Sequence, residues 1–230
     1  MKQKLTLALA LAAAGCATPE FPKPEFTNIT ALNTTYMLRG QNLSDGKPVV
    51  QDTLVAISGP LSAIAFASHH PDSGRTHEAD ITLNYDVNVG DRLRLSPNVT
   101  YLTFPNLDLR ARTELAVKAT LDDTYSLNVV RDLDNKEGLR RGTYVELGAR
   151  KAFEVFGLNP VADIAVGWEN HFLSNETGLR HIDAGLSLPI PLKFLGENVT
   201  LIPGIRRTES LNDKVANDKW YGGLTLEVKF

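Results

Sequence analysis

From residue 27 onward the chain alternates apolar and polar side chains with a period of two. Across residues 78–87, Ala79, Ile81, Leu83, Tyr85 and Val87 are apolar, while Glu78, Asp80, Thr82, Asn84 and Asp86 between them are polar. Successive strand side chains point to opposite faces, so this stretch predicts a strand with one greasy and one charged face. At 108–120, Leu109, Ala111, Leu115, Val117 and Ala119 share a face opposite Asp108, Arg110, Arg112, Glu114 and Lys118. The same alternation sets Val145 and Leu147 against Glu146, and Ile164 and Val166 against Asp163. A helical period fits none of these stretches. About twelve segments follow: 28–39, 48–58, 61–68, 78–87, 91–103, 108–120, 124–131, 142–151, 158–169, 180–188, 198–207 and 219–230.

The connectors alternate too. Those at 59–60, 88–90, 121–123 and 152–157 are short, and those at 40–47, 69–77, 132–141, 170–179 and 208–218 are longer and polar. Two break the rule: 104–107 is short for its side and 189–197 is long for its own. Short turns at one end and long loops at the other mark an up-and-down outer-membrane β-barrel, an all-β transmembrane fold. A sandwich or a soluble barrel also alternates, but with the greasy face inward. Small residues among the charges (Gly148, Ala165, Gly167, Gly185, Gly223) suit a crowded lumen better than an open surface. Aromatics near segment ends suggest two interfacial girdles: Tyr36, Phe66, Tyr101, Trp168 and Trp220 toward the loops, Tyr125 and Phe230 toward the turns. Pro97 and Pro203 cannot donate to a ladder, which predicts bulges or early strand ends there.

The last segment places Trp220, Leu224, Leu226, Val228 and Phe230 on one face, and Phe230 ends the chain. It resembles the signal that the barrel assembly machinery of the outer membrane reads. Near the front, Tyr36-Met37-Leu38-Arg39-Gly40 is followed by Ser44-Asp45-Gly46-Lys47-Pro48 and Val49-Val50-Gln51. This strand, Asp-Gly turn and strand resembles the opening of the TorF-like outer-membrane porin family. The close match covers residues 34–58, and beyond them the likeness is one of architecture. The resemblance implies a bacterial outer-membrane barrel with both termini in the periplasm.

Composition narrows the classes further. The 230 residues carry 24 basic and 27 acidic side chains, a net charge of −3, and no basic run, which argues against binding nucleic acid. A single cysteine excludes a disulfide framework or a cysteine-rich zinc site. The only long apolar stretch, 5–17, is shorter than the roughly 20 residues of a spanning helix. With Lys2 and Lys4 ahead of it and Ala12-Ala13-Ala14-Gly15 behind, it reads as an export signal over 1–17. An extended periplasmic linker over 18–26 and the barrel over 27–230 follow. Cys16 is the candidate lipidation site, although Ala13 stands where a lipobox usually carries Leu. Removing the two signal lysines gives 22 − 27 = −5 for the mature chain.

Parity assigns the pore lining to Arg39, Asp52, Asp80, Asp86, Arg92, Arg94, Arg110, Arg112, Glu114, Lys118, Glu146, Arg150, Asp163, Glu169, Asp183 and Arg206. The signs nearly balance, so no strong ion preference follows. The turn at 88–90 is expected to set Asp86 opposite Arg92. The partners implied are outer-membrane lipids, the assembly machinery and a small hydrophilic solute. The reading is a passive pore with a narrow lumen. A non-conducting structural or adhesion barrel is the alternative, and an outer-membrane lipid hydrolase the third. His69, His70 and His77 lack ligand spacing, and no serine pairs by pattern with His171 or His181, so no cofactor, metal or catalytic residue is assigned.

Overall fold

The structure, a computed structural model, describes residues 22–107, 109–134, 142–173, 176–211 and 219–230. The export signal, Cys16, the start of the linker and Asp108 lie outside the described residues. Twelve long strands follow one another: β1 (Glu25–Asn33), β2 (Val49–Ser58), β3 (Leu61–His69), β4 (Thr76–Tyr85), β5 (Leu93–Thr103), β6 (Arg112–Leu121), β7 (Tyr125–Asp132), β8 (Thr143–Ala152), β9 (Val161–Asn170), β10 (Thr177–Ser187), β11 (Val199–Ser210) and β12 (Lys219–Lys229). Short segments continue two of them, Val87–Val89 after β4 and Ile190–Pro191 after β10. Each strand pairs antiparallel with its chain neighbour, and β12 pairs back onto β1. The sheet is a closed barrel with no free edge, so every strand can pair on both sides.

Exposure settles which face looks out. Ile81 is 62% exposed and Leu83 58%, whereas Glu78 and Glu114 are 1% and 3% exposed. The greasy face covers the outside and most charges are enclosed. With neighbouring strands roughly 4.8 Å apart and tilted about 40°, twelve strands set opposite walls roughly 25 Å apart. Side chains from both walls leave room for little more than one further hairpin.

Several boundaries differ from the pattern reading. Strand β1 begins at Glu25, inside the stretch expected as a linker, and Phe26 stacks on Phe230 with ring centroids 6.3 Å apart. It ends at Asn33 rather than near 39. Strand β6 starts at Arg112, so the connector before it spans 104–111 and matches the other long loops. Both prolines act on a neighbour: β5 and β11 run through Pro97 and Pro203. Strand β4 breaks between Tyr85 and Val87 beside Pro97, and β10 breaks between Ser187 and Ile190 beside Pro203. Each break lies where the proline offers no N–H.

Tyr101, Trp220, Tyr125 and Phe230 are outward and exposed, as a girdle requires. Tyr36 and Phe66 are not part of it. Phe66 shares the inner row with Asp80, and Tyr36, 8% exposed, packs on it at 6.1 Å.

Two register shifts at the long-loop end shape the interior. One lies beside Ser68 and His69, where His77 is the extra residue, and one beside Gly167 and Trp168, where Arg180 is. A bulge lets consecutive side chains leave the strict alternation. His77 with Glu78, and Arg180 with His181, are accordingly buried as adjacent pairs.

Candidate functional site in the lumen

The connector at 34–48 packs within the barrel. Its strands Met37–Leu38 and Gln41–Asn42 form a separate two-stranded hairpin. The backbone at Arg39 and Gly40 has φ of 49° and 79°, and that at Asp45 and Gly46 has φ of 52° and 74°. Two consecutive left-handed residues define a type I′ turn, so the segment carries two tight reversals. The Asn42 Oδ1 accepts from the backbone N–H groups of Ser44 and Gly46 and from the Thr35 hydroxyl, which ties the two turns together.

This wedge meets the inner wall through side chains. Arg39 donates two hydrogen bonds to Glu114, at 2.8 and 2.7 Å, and lies 5.1 and 4.9 Å from the ring centroids of Tyr144 and Phe172. A bidentate guanidinium–carboxylate pair stacked on aromatic faces is strong and directional. Arg112 approaches the same carboxylate at 2.9 Å and stacks on Phe104 and Phe172. The Tyr36 hydroxyl donates to Glu78 at 2.7 Å. Gly40 sits so close to His181 that a Cβ there would lie 2.7 Å from the His181 Cβ. Behind it the Tyr144 hydroxyl is 2.8 Å from His181 Nε2 and donates to Glu146 at 2.8 Å. Ala116, Val130, Tyr144 and Phe172 form a buried apolar cluster beneath Arg39.

The residues assigned to the pore by parity fall into five groups. Arg39, Arg112 and Glu114 meet at the wedge, although Arg39 arrives on a loop rather than a strand. Asp80, Lys118, Glu146, Arg150, Asp163, Glu169, Asp183 and Arg206 lie on the inner rows. Among them Arg206 pairs with Asp163 at 2.5 Å, Arg180 with Glu169 at 3.3 Å, and Thr208 donates to Asp183. Asp86, Arg92 and Arg94 stand at the short-turn rim. Asp86 accepts from Ser96 and Asn84, and Arg92 binds Asp122 across two turns, so the expected Asp86–Arg92 pair does not form. Arg110 is exposed in the loop before β6, because that strand starts two residues later.

Asp52 is on the outside. It is two residues from Leu54, which is 45% exposed, and it pairs with Thr30 and Ala67 on the outer rows. The Thr30 hydroxyl donates to it at 2.8 Å. The parity reading reversed here because Val55, Ile57, Ile64 and Phe66 take the inner row of β2 and β3.

Sequence reasoning passed over Tyr144, Phe172, Phe104 and Arg180. Tyr144 stands among charges on its strand's polar parity, which was a visible signal. Arg180 is out of phase beside His181, which a bulge explains. The two loop phenylalanines carried none. Of the histidines, His70 and His77 meet edge to face at 4.0 Å. Among the described residues no three metal-ligating side chains converge.

A closed antiparallel barrel of twelve strands, greasy outside and charged within, has the fold of the outer-membrane porins. Solved structures agree. A NanC porin superposes with a TM-score of 0.56 at 8% identity, over 89% of this chain and 100% of that one. The KdgM porin in complex with disordered oligogalacturonate gives 0.53 at 7% identity, over 90% and 99%. KdgM porin alone gives 0.51 at 8%, over 90% and 99%. No family model matches this sequence. No curated protein matches it either.

Proposed function

We propose that the chain is an outer-membrane porin that passes small hydrophilic solutes through a lumen narrowed at the long-loop end by the 34–48 wedge. One observation carries this reading. Among the described residues the wedge hairpin pairs with no barrel strand, and its grip on the wall is made by side chains. Such contacts can open without breaking the ladder. Beyond the wedge the inner rows carry Thr82, Asn84, Thr100, Lys118 and Asn128, and a cavity of about 140 Å³ lies beside Arg206 and Tyr221. A wet, charged wall of mixed sign admits small polar molecules without strong selection by charge.

In this reading the short-turn end, where Phe26 meets Phe230, faces the periplasm, and the long loops face outward. The outward row Trp220, Leu224, Leu226, Val228 and Phe230 is what the assembly machinery would engage. Membership of the TorF-like porins rests on residues 34–58, and these hold the wedge and strand β2.

The burial of Tyr36, Ser44 and Phe172 favours a second reading, a barrel whose interior is sealed and whose role is structural. Planar-bilayer recording separates the two. Stepwise currents from pure protein support the pore. No current from either the full chain or a folded chain lacking residues 36–47 removes it.

A further inference from the structure

A groove of about 470 Å³ opens on the outer surface at the short-turn end. One wall is Phe153, Val155 and Leu158, and the other is Leu186, Leu188 and Ile205. The first wall exists because β8 and β9 continue past their neighbours as a narrow hairpin, with Phe153 N–H donating to Pro160 and Val155 N–H to Leu158. Its tip is Phe156-Gly157, at φ of 51° and 75°. A left-handed position favours Gly, Asn or Asp, so a phenylalanine there defies the turn's own chemistry, and this one is 100% exposed. An apolar tip kept against local preference points to an apolar neighbour outside the chain.

The groove has a cation beside it. Pairing runs from Lys151 to Ala162, from Ala162 to Leu186 and from Leu186 to Ile205, so Lys151 stands on the outer row that enters the groove. Among the described residues it has no ion-pair partner. A lysine on a membrane-facing row reaches toward the headgroup level. An acyl chain matches the groove in its apolarity, and a negative headgroup supplies the missing counterion.

We infer that this groove and Lys151 together bind one anionic glycerophospholipid, its phosphate held by Lys151 at the hairpin end of the groove, beside Phe153, and its acyl chain along Leu186 and Ile205 toward the middle of the wall. The choice of leaflet rests on the proposed orientation, which puts the short-turn end in the periplasmic, phospholipid-bearing leaflet. The lipid contact itself does not require a conducting pore.

The test is native mass spectrometry of the purified full chain, titrated in detergent with phosphatidylglycerol or with phosphatidylcholine of the same chains. The native protein should retain one phosphatidylglycerol about tenfold more readily than phosphatidylcholine. Lys151→Gln should erase that preference, and Leu186→Trp, which fills the groove from an outward position, should lower retention of both lipids. Ile205→Trp serves the same purpose should Leu186→Trp not fold, with heat-modifiable gel migration reporting folding. Equal retention by the native chain and the folded variants would overturn the inference, as would tighter retention of lipid A than of phosphatidylglycerol. Single-channel conductance of Lys151→Gln should stay unchanged, so failure of the lipid site and failure of the pore are read separately.

Discussion

Replacing Arg39 by alanine removes the strongest tie between the wedge and the wall. Arg39 is 16% exposed and Glu114 3%, with two hydrogen bonds between them and two aromatic rings under the guanidinium. Deleting one partner of a buried pair costs roughly 3–5 kcal/mol, mostly from the charge left behind. Glu114 keeps Arg112 at 2.9 Å, which offsets part of that cost. A loss of about 2–3 kcal/mol is the reasonable expectation, and at 1.4 kcal/mol per tenfold it raises the displaced-wedge population about 30- to 150-fold. Single-channel recording should show the larger conductance level occupied correspondingly more often. Arg39→Lys, which keeps the charge but loses the planar fork, should fall between. A folded Arg39→Ala barrel with unchanged level occupancies would refute the reasoning.

Other outcomes follow from the same geometry. Gly40→Ala meets both a φ of +79° and the His181 Cβ, so it should unseat the wedge as Arg39→Ala does; Gly46→Ala shares the backbone cost, at a φ of +74°, but its new Cβ meets only the flexible end of Lys219, so it should change the currents less. Asp52→Leu should stabilise the barrel by about 1 kcal/mol after loss of the Thr30 hydrogen bond, because Asp52 lies roughly 14 Å along the membrane normal from the Ser58 turn, near mid-bilayer. Denaturant unfolding in liposomes reads that change, and a less stable variant would contradict the outward placement. At the turns, the hydrogen bond from Arg92 and its charge hold the Asp122 carboxyl below the usual range. That contribution is fully present above the unfolded carboxylate value of about 3.9 and is lost as pH falls through the lower folded value. The unfolding difference between the native chain and Asp122→Asn should persist at about pH 5 and vanish in stronger acid.

Much of the barrel was legible because one physical rule, alternation across a sheet with a greasy side, governs nearly every strand. It located eleven of the twelve strands to within about four residues at each end, ran the first six residues too far, and placed Glu114, Asp163 and Arg206 inside. It failed where a strand's inner row is itself apolar, as at Val55 and Ile64, so Asp52 was assigned to the wrong face. Bulges hid Arg180, since one inserted residue breaks parity only locally. The wedge was the larger omission. Its Asp45-Gly46 turn was readable, but Arg39-Gly40 is an unusual left-handed pair, and residues 34–39 continue the alternation of β1 well enough to pass for strand. What turns the chain inward is tertiary: Glu114, Tyr144 and Phe172 waiting across the lumen.

The central claim is that lipid meets the apolar face and water the charged one. In a Cys16→Ser background, cysteines are placed at Leu115 and at Lys118 on the same strand, and the protein is reconstituted in liposomes and exposed to a water-soluble thiol reagent. The account predicts rapid labelling at 118 and none at 115. Labelling at 115 with protection at 118 would contradict it.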